Sequence, residues 1–290
     1  FKALCKDWGV ILKEEKDAAP AQKMIALGIQ YDLIKMTRKI TDKRRADIKA
    51  DLVAARTTNS RRHWEHLVGV LWFVSPCVRA ATPHTYVIAK ATAQARHANR
   101  AILKTPAVQS ALDWWVHFTD EIANPDSPWH GDSIIPTNHR EVNICMGDAG
   151  SEWGMGGFDK NHYFYAKWPD HMWQAVQRRK STSSLHMEAL QVLVAARAMG
   201  PTWANTSVTM RLDCLALVHT LRKGYHQHDA VNAIMQELSS LQIKHNFDLR
   251  PMWVRRCWNE AADALSKNDM ERFWLNVEGD RTLIRLQPHH

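Results

Sequence analysis

Apolar residues recur at helical spacing through much of the first half of the chain. One basic stretch has Ile48 and Leu52 four residues apart, which predicts a helix with one buried face. A second, strongly apolar stretch ends at Pro76, a residue that stops a helix. The predicted helices cover residues 40–56, 64–74, 92–103 and 108–122. This pattern is typical of a mainly helical region.

Beyond residue 140 the apolar runs become shorter, and glycine or polar turns separate them. Only short loops separate the first three runs, which indicates an antiparallel meander. The predicted strands cover 142–146, 153–158, 162–168, 208–212 and 247–254. The predicted helices run from the serines at 181–184 to 199, and over 214–221, 229–241 and 259–266. This order predicts an α/β fold with a mixed five-stranded sheet and flanking helices.

A loop rich in proline separates the two halves. Residues 124–137, NPDSPWHGDSIIPT, contain three prolines and one glycine. We therefore predict a helical region over 1–140, a second domain over 141–270, and a tail or linker over 271–290.

The composition excludes several classes of protein. Hydrophobic residues make up 45% and charged residues 23%, which excludes a disordered chain. The longest apolar run, 67–74, is too short to span a bilayer, and the N-terminus has no signal-peptide core, so we expect no membrane partner. The missing initiator Met predicts a fragment of a longer protein. Five scattered cysteines without a CxxC pair predict a reducing intracellular compartment, either cytoplasm or nucleus.

Positive charge is concentrated in the helical region. Residues 1–140 have 21 Lys and Arg against 14 Asp and Glu, a net charge of +7 out of +8 for the whole chain. A basic surface favours a polyanion partner, of which nucleic acid is the commonest. A solvated basic surface without a dedicated partner explains the charge equally well.

Four acidic residues stand at positions typical of a catalytic site. Asp148 follows the first predicted strand of the sheet, and Asp213 ends the fourth. Glu188 and Asp263 lie in predicted helices. An isolated Asp at a strand end is more often a turn residue, but strand ends are also where open α/β sheets have their sites. Clustered carboxylates offer the hard oxygen ligands that Mg²⁺ prefers, and two such ions roughly 3.5–4 Å apart promote phosphodiester hydrolysis.

These acidic residues lie in segments that resemble the ribonuclease H domain of reverse-transcribing retroelements, with DIRS-type retrotransposons the most similar. The resemblance covers 141–267 and rests on GDAGSEWGMGG (147–157), SLHMEAL (184–190), MRLDCLALVHTLRKG (210–224) and WVRRCWNEAADALSK (253–267). Upstream, three segments resemble the part of a reverse transcriptase between the polymerase motif and ribonuclease H, so the resemblance implies a palm-end, thumb and connection region over 1–140. They are LGIQYDLIKM (27–36), LVGVLWFVS (67–75) and ALDWWVHF (111–118).

The resemblance implies a ribonuclease H-like fold that hydrolyses the RNA strand of RNA–DNA hybrids with two Mg²⁺ ions, for which Mn²⁺ can substitute. The implied catalytic and metal-binding set is Asp148, Glu188, Asp213 and Asp263. The implied partners are the hybrid duplex and the remainder of a reverse transcriptase polyprotein.

Further residues are candidates for nucleic-acid binding. In the family that the chain resembles, the turn at Gly150 and Ser151 approaches the RNA 2′-hydroxyl, and a simple glycine turn is the alternative. Two basic clusters suit phosphate contacts or a solvated surface. They consist of Arg178, Arg179 and Lys180, and of Arg255 and Arg256. Asn259 opens the last predicted helix as an N-cap and is also a candidate substrate contact.

The sequence departs from the retroelement pattern in two ways. No adjacent Asp-Asp pair occurs, so the polymerase site is absent from this chain. Residues 253–256 occupy the place of the His-x-Pro-Gly motif that many retroelements have before the last Asp. Two alternatives therefore stay open. One is a catalytically inactive nucleic-acid-binding remnant, and the other is a nuclease of the same fold that acts on DNA, such as an integrase or transposase.

Overall fold

The computed structural model of the chain describes residues 7–9, 21–121, 132–133, 142–170, 183–277 and 282–288. A small antiparallel sheet comes first, formed by β1 (Lys23–Ala26), β2 (Ile29–Asp32) and β3 (Thr37–Ile40), with β4 (Asp132–Ser133) paired to β3. Leu27 and Gly28 have φ angles of +53° and +79°, as a tight hairpin turn requires. These four-residue strands are too short to leave a clear pattern in the sequence, and we did not predict them.

Four helices follow the small sheet: α1 (Asp42–Thr57), α2 (Arg61–Val74), α3 (Thr82–His97) and α4 (Pro106–Glu121). The Thr41 hydroxyl caps α1 by accepting a hydrogen bond from the Arg44 backbone N–H. Trp64 and Trp115 are fully buried between the helices, and Trp115 Nε1 donates to Thr85 Oγ1 at 3.2 Å. The mainly helical character predicted for this region is therefore found over Asp42–Glu121.

The third helix differs from its prediction. It covers Thr82–His97, whereas the sequence pattern predicted 92–103. Pro83 lies in the first turn, where the N–H that proline lacks has no partner within the helix. The chain leaves the helix at Asn99, whose φ of +45° is left-handed. The predicted loop over 124–137 lies outside the described residues except for β4.

The second sheet is mixed and has six strands. They are β5 (Val142–Ala149), β6 (Gly154–Phe158), β7 (His162–Lys167), β8 (Ser207–Leu212), β9 (Asp248–Trp253) and β10 (Ile284–Arg285), in the order β10-β7-β6-β5-β8-β9. The first three strands form the predicted antiparallel meander, β8 pairs with β5 in parallel, and β9 pairs with β8 in parallel. The α/β class is confirmed. The sixth strand, β10, has only two residues and pairs in parallel with β7.

Helices cover both faces of the six-stranded sheet. They are α5 (Ser183–Met199), α6 (Leu215–Lys223), α7 (Asp229–His245), α8 (Glu260–Ser266) and α9 (Met270–Asn276). The α5 and α7 side includes the fully buried Cys145 and Met210, and the α8 and α9 side includes Leu265 and Phe273. Among the described residues, no helix combines the length and apolarity that crossing a membrane requires.

Part of the predicted tail over 271–290 is ordered against the sheet. Phe273 on α9 is fully buried, and its ring lies 5.5 Å from Phe158 and 5.4 Å from Tyr163. A helix of seven residues is too short for its periodicity to be recognised in the sequence. The division of the chain into domains otherwise stays a prediction.

The helical region contacts the helices of the larger sheet. Trp114 on α4 stacks on His84 of α3 at 4.0 Å and donates its indole N–H to Ser240 on α7 at 3.3 Å. The His84 ring lies 3.3 Å from Ser239, also on α7. Burial lowers the pKa of His84 to about 3, so the ring is neutral at physiological pH. Lys90 on α3 also pairs with Asp229 on α7 at 2.7 Å, so the two regions meet through an aromatic contact, hydrogen bonds and an ion pair.

Two glycines bring α5 and α8 close to the centre of the sheet. A Cβ at Gly147 on β5 would lie 2.1 Å from Gln191 Nε2 of α5. A Cβ at Gly156 on β6 would lie 2.3 Å from Leu265 Cβ of α8. A side chain at Gly156 would have to displace α8 itself, whereas one at Gly147 would have to displace the end of the Gln191 side chain. The glycines thus let α5 and α8 approach the end of β5 that carries Asp148.

Replacing Gly156 with Ala is expected to lower the free energy of unfolding by about 2 kcal/mol, because the methyl group must displace α8. Gly69 on α2 is the matched control, since a methyl group added there would have nothing within 4 Å of it. Gly69→Ala is expected to raise stability by up to about 1 kcal/mol through helix propensity. Urea unfolding measures both, and equal effects of the two changes would contradict the close packing of α8 on β6.

Candidate metal centre

Three carboxylates meet at one end of the six-stranded sheet. Asp148 is near the end of β5, Asp213 follows β8 directly, and Glu188 lies on α5. Because β5 and β8 are parallel neighbours, their carboxyl ends lie at the same edge of the sheet. One ligand oxygen from each of the three residues lies within 4.8 Å of the other two. Three of the four predicted carboxylates therefore form one cluster.

Burial and mutual repulsion hold this cluster away from its ionised state. Burial, with the nearby Asp148 and Asp213, raises the pKa of Glu188 to about 9. Burial raises the pKa of Asp148 to about 6, against a lowering effect of the Ser266 hydroxyl. The pKa of Asp213 is raised by burial too. Full ionisation at neutral pH thus needs a compensating positive charge.

The donor set fits a hard divalent cation. Glu188 Oε2 is buried and has no hydrogen-bond partner within the part of the chain that the structure describes. A buried oxygen of this kind has lost its hydrogen bonds to water. A bound ligand or ion would replace them. Three clustered carboxylate oxygens are the ligands that Mg²⁺ and Mn²⁺ prefer over softer metals.

The Ser266 hydroxyl orients Asp148. Ser266 Oγ on α8 donates to Asp148 Oδ2 at 2.5 Å, and both side chains are buried. A Cβ at Gly150 would lie 2.9 Å from the Ser266 carbonyl oxygen, so the turn after β5 also touches α8. The side chain of Asp148 is thereby held in one direction by an element more than a hundred residues away.

Asp263, the fourth predicted carboxylate, lies beside the cluster but is bound to cations of its own chain. Its carboxylate accepts hydrogen bonds from Arg256 at 3.2 Å, Lys267 at 2.8 Å and Arg272 at 3.0 Å. Burial raises the pKa of Asp263, but the hydrogen bonds from Lys267 and Arg256 outweigh it, so the pKa lies below its usual value. Asp263 is therefore ionised, and its charge raises the pKa values of Asp148 and Asp213.

The predicted nucleic-acid contacts divide into three groups. The first group lies at the surface and consists of Ser151, Arg255 and Arg256. Gly150 is half-buried in the turn after Asp148. Asn259 requires a correction. It lies at the N-cap position of α8, but its fully buried side chain makes no capping hydrogen bond and donates to the Gly147 carbonyl oxygen at 3.1 Å, so it ties α8 to β5. Its contact with a substrate stays a prediction. Arg178, Arg179 and Lys180 lie outside the described residues.

Sequence reasoning missed the partners of the carboxylates. Ser266 and Lys267 follow Asp263 by three and four residues on a helix, a spacing that places side chains on one face and was a usable signal. Arg272 lies on α9, beyond the end of α8, and nothing in the local pattern pointed to it.

Comparison with known proteins adds little to this geometry. No family model and no curated protein matches the sequence. One similar solved structure is that of the foamy viral protease-reverse transcriptase dRH in complex with double-stranded DNA. The two chains are 13% identical with a TM-score of 0.33, and the alignment covers 87% of this chain and 42% of that one. The chain thus spans less than half of that protein, and the similarity is too distant to assign its fold or activity.

Proposed function

We propose that this chain is the ribonuclease H part of a retroelement reverse transcriptase and hydrolyses the RNA strand of RNA–DNA hybrids. The cluster of Asp148, Glu188 and Asp213 is the observation that carries the proposal. The strand order of the larger sheet supports it, because a meander extended by two parallel strands suits a ribonuclease H-like fold. The motifs of 147–267 favour a DIRS-type element over other retroelements.

In this proposal Asp148, Glu188 and Asp213 would hold Mg²⁺, and Asp263 would contribute to a second ion. When bound, the ions activate a water molecule and neutralise the leaving oxygen of the phosphodiester. Ser266 keeps Asp148 directed into the cluster through its hydrogen bond. Trp253 fixes the backbone at the end of β8 instead, because its indole N–H donates to the main-chain carbonyl oxygen of Asp213 at 3.1 Å.

Basic side chains beside the cluster would receive the phosphates of the hybrid. The Arg256 side chain is 75% exposed while one of its nitrogens bonds Asp263, so its guanidinium lies between the metal centre and solvent. Arg255 precedes it on the surface. Phosphate contacts dominate the affinity for nucleic acid. The turn at Gly150 and Ser151 would face the RNA 2′-hydroxyl, and the basic residues of 1–140 would hold the duplex further from the cut.

The test is cleavage of a labelled RNA–DNA hybrid with and without Mg²⁺, beside RNA–RNA and DNA–DNA duplexes of the same sequence. We expect Mg²⁺-dependent cutting of the RNA strand of the hybrid alone. Cutting of the DNA duplex would instead identify an integrase-like or transposase-like nuclease. Binding of the hybrid without cutting at any divalent metal concentration would identify a nucleic-acid-binding remnant, and would contradict the proposed activity.

A further inference from the structure

The segment Trp253–Trp258 joins β9 to α8 along the border of the metal centre. Its first residue contacts Asp213 through the indole N–H, and Arg256 contacts Asp263 at 3.2 Å. Arg256–Trp258 forms a short 3-10 helix, so the segment has a defined backbone. The segment is therefore held next to two of the acidic residues.

Two large aromatic side chains of this segment face solvent. Trp253 is 45% exposed and Trp258 is 67% exposed. Other tryptophans of the chain, such as Trp64, Trp115 and Trp203, are fully buried. A single exposed apolar side chain needs no explanation, but two beside a cluster of site carboxylates mark a contact surface.

The same segment carries positive charge. The Arg255 guanidinium carbon lies 5.9 Å from the centre of the Trp258 ring, and Arg256 is exposed beside it. A cation at this distance covers one face of an indole at most, and two-thirds of the Trp258 surface is accessible. Aromatic rings interleaved with guanidinium groups are the combination that binds single-stranded nucleic acid, since bases stack on the rings and phosphates pair with the cations.

We infer that Trp253, Arg255 and Trp258 form a stacking platform for an unpaired nucleic-acid segment that adjoins the metal centre. In a duplex the bases stack on each other and hide their faces, whereas in a single strand they are free to stack on indole. The identity of the partner as nucleic acid rests on the proposed function. The platform extends that function, because it predicts a preference for hybrids that carry a single-stranded extension over blunt ones.

The direct test is binding of a fluorescently labelled thymidine oligonucleotide of about 20 nucleotides, a length that spans a typical single-strand site. Single-stranded DNA is not a substrate of the proposed activity, so Mg²⁺ stays present and fluorescence anisotropy reports binding alone. Trp258→Ala is expected to weaken binding about 5- to 10-fold, and Trp258→Phe, which keeps an aromatic face, about twofold.

The chain offers a matched control for this test. Phe73 on α2 is 39% exposed, and the Arg44 guanidinium carbon lies 5.7 Å from the centre of its ring. Phe73→Ala removes an equivalent aromatic–arginine pair in the helical region, and we expect it to leave oligonucleotide binding unchanged. Because Trp258 is largely exposed, its replacement is expected to leave the thermal unfolding midpoint unchanged as well.

The salt dependence of binding separates stacking from charge. Loss of stacking releases no counterions, so Trp258→Ala is expected to keep the slope of log affinity against log salt concentration. Arg255→Ala is expected to reduce that slope by about 1, because one phosphate contact is lost. A slope that changes only with Trp258 would contradict base stacking there.

The possible outcomes test the stacking platform and the proposed nuclease function separately. Oligonucleotide binding that depends on Trp258, in a protein that cleaves no hybrid, supports the platform and refutes the nuclease. Hybrid cleavage at normal rate, with Trp258→Ala binding oligonucleotide as tightly as the unchanged chain, refutes the platform alone. Self-association of the protein that disappears on Trp258→Ala, without oligonucleotide binding, would assign the surface to a second copy of the chain and also overturn the inference.

Discussion

The Asp148→Asn chain is expected to lose at least about 10³-fold of its Mg²⁺-dependent hybrid cleavage. Asp148 shares the cluster with Glu188 and Asp213; its charge raises the pKa of Glu188, and the charge of Asp213 raises the pKa of Asp148. An amide oxygen is neutral and offers a much weaker bond to a divalent cation than a carboxylate does. Initial cleavage rates on a labelled hybrid, measured over a series of Mg²⁺ concentrations, give the size of the loss.

Asp113→Asn is the matched control for this change. Asp113 on α4 is an exposed carboxylate that pairs with Arg56, and we expect its replacement to leave the cleavage rate unchanged. The folded state of Asp148→Asn is expected to be intact, because the amide oxygen still accepts the hydrogen bond from Ser266. If the Asp148→Asn and unchanged chains, purified side by side, cleaved at equal rates, the observed cleavage would not depend on this metal centre.

The free energy of unfolding of the metal-free protein is expected to fall as the pH rises from acid to alkaline. Glu188→Gln is expected to remove much of this fall. In the unfolded chain Glu188 releases its proton near its ordinary pKa of 4.5, whereas burial and neighbouring carboxylates hold the folded-state pKa at about 9. The unfolded state is therefore favoured increasingly as the pH rises from 4.5 towards 9. At pH 8 the glutamine variant is expected to be more stable than the unchanged chain, by an amount on the order of 5 kcal/mol.

Urea unfolding at pH 5 and pH 8, with a metal chelator present, measures this difference. Near pH 5 the two chains are expected to differ by less than about 1 kcal/mol, because this pH is only slightly above the pKa of 4.5 at which Glu188 ionises in the unfolded chain. Glu237→Gln serves as the control, since Glu237 is partly exposed in an ion pair with Arg197 and shows no such burial. A parallel decline of stability with pH in the Glu188→Gln and unchanged chains would contradict the buried, repelled state of this carboxylate.

The same variant tests metal binding independently of cleavage. Mg²⁺ is expected to raise the unfolding midpoint of the unchanged chain at pH 8, because binding to the folded state alone stabilises it. The gain is expected to shrink in Glu188→Gln, which lacks one anionic oxygen of the cluster. Stabilisation of equal size in both chains would indicate that Mg²⁺ binds elsewhere.

Local sequence was enough to predict the order of five of the six strands of the larger sheet along the chain, with the helices between them, and the positions of the carboxylates. Short apolar runs, turns and helical spacing are properties of neighbouring residues, and from 142 to 266 they agree with the strands and helices found. The same information predicted Asp148 and Asp213 at strand ends. It failed over 82–103 and 270–276, where a helix began at a proline or was too short to show periodicity.

Tertiary structure alone decided how the acidic residues differ from each other. Asp263 gained three cationic partners and stays ionised, whereas the effects of burial and two acidic neighbours on Glu188 outweigh that of Arg256, and its buried Oε2 has no hydrogen-bond partner among the described residues. Asn259 turned inward to the Gly147 carbonyl oxygen, and Trp258 outward to solvent. Each outcome depends on contacts between residues far apart in the chain, such as Leu265 against Gly156. Sequence spacing places side chains along an element, but only packing between elements sets their burial, partners and charge.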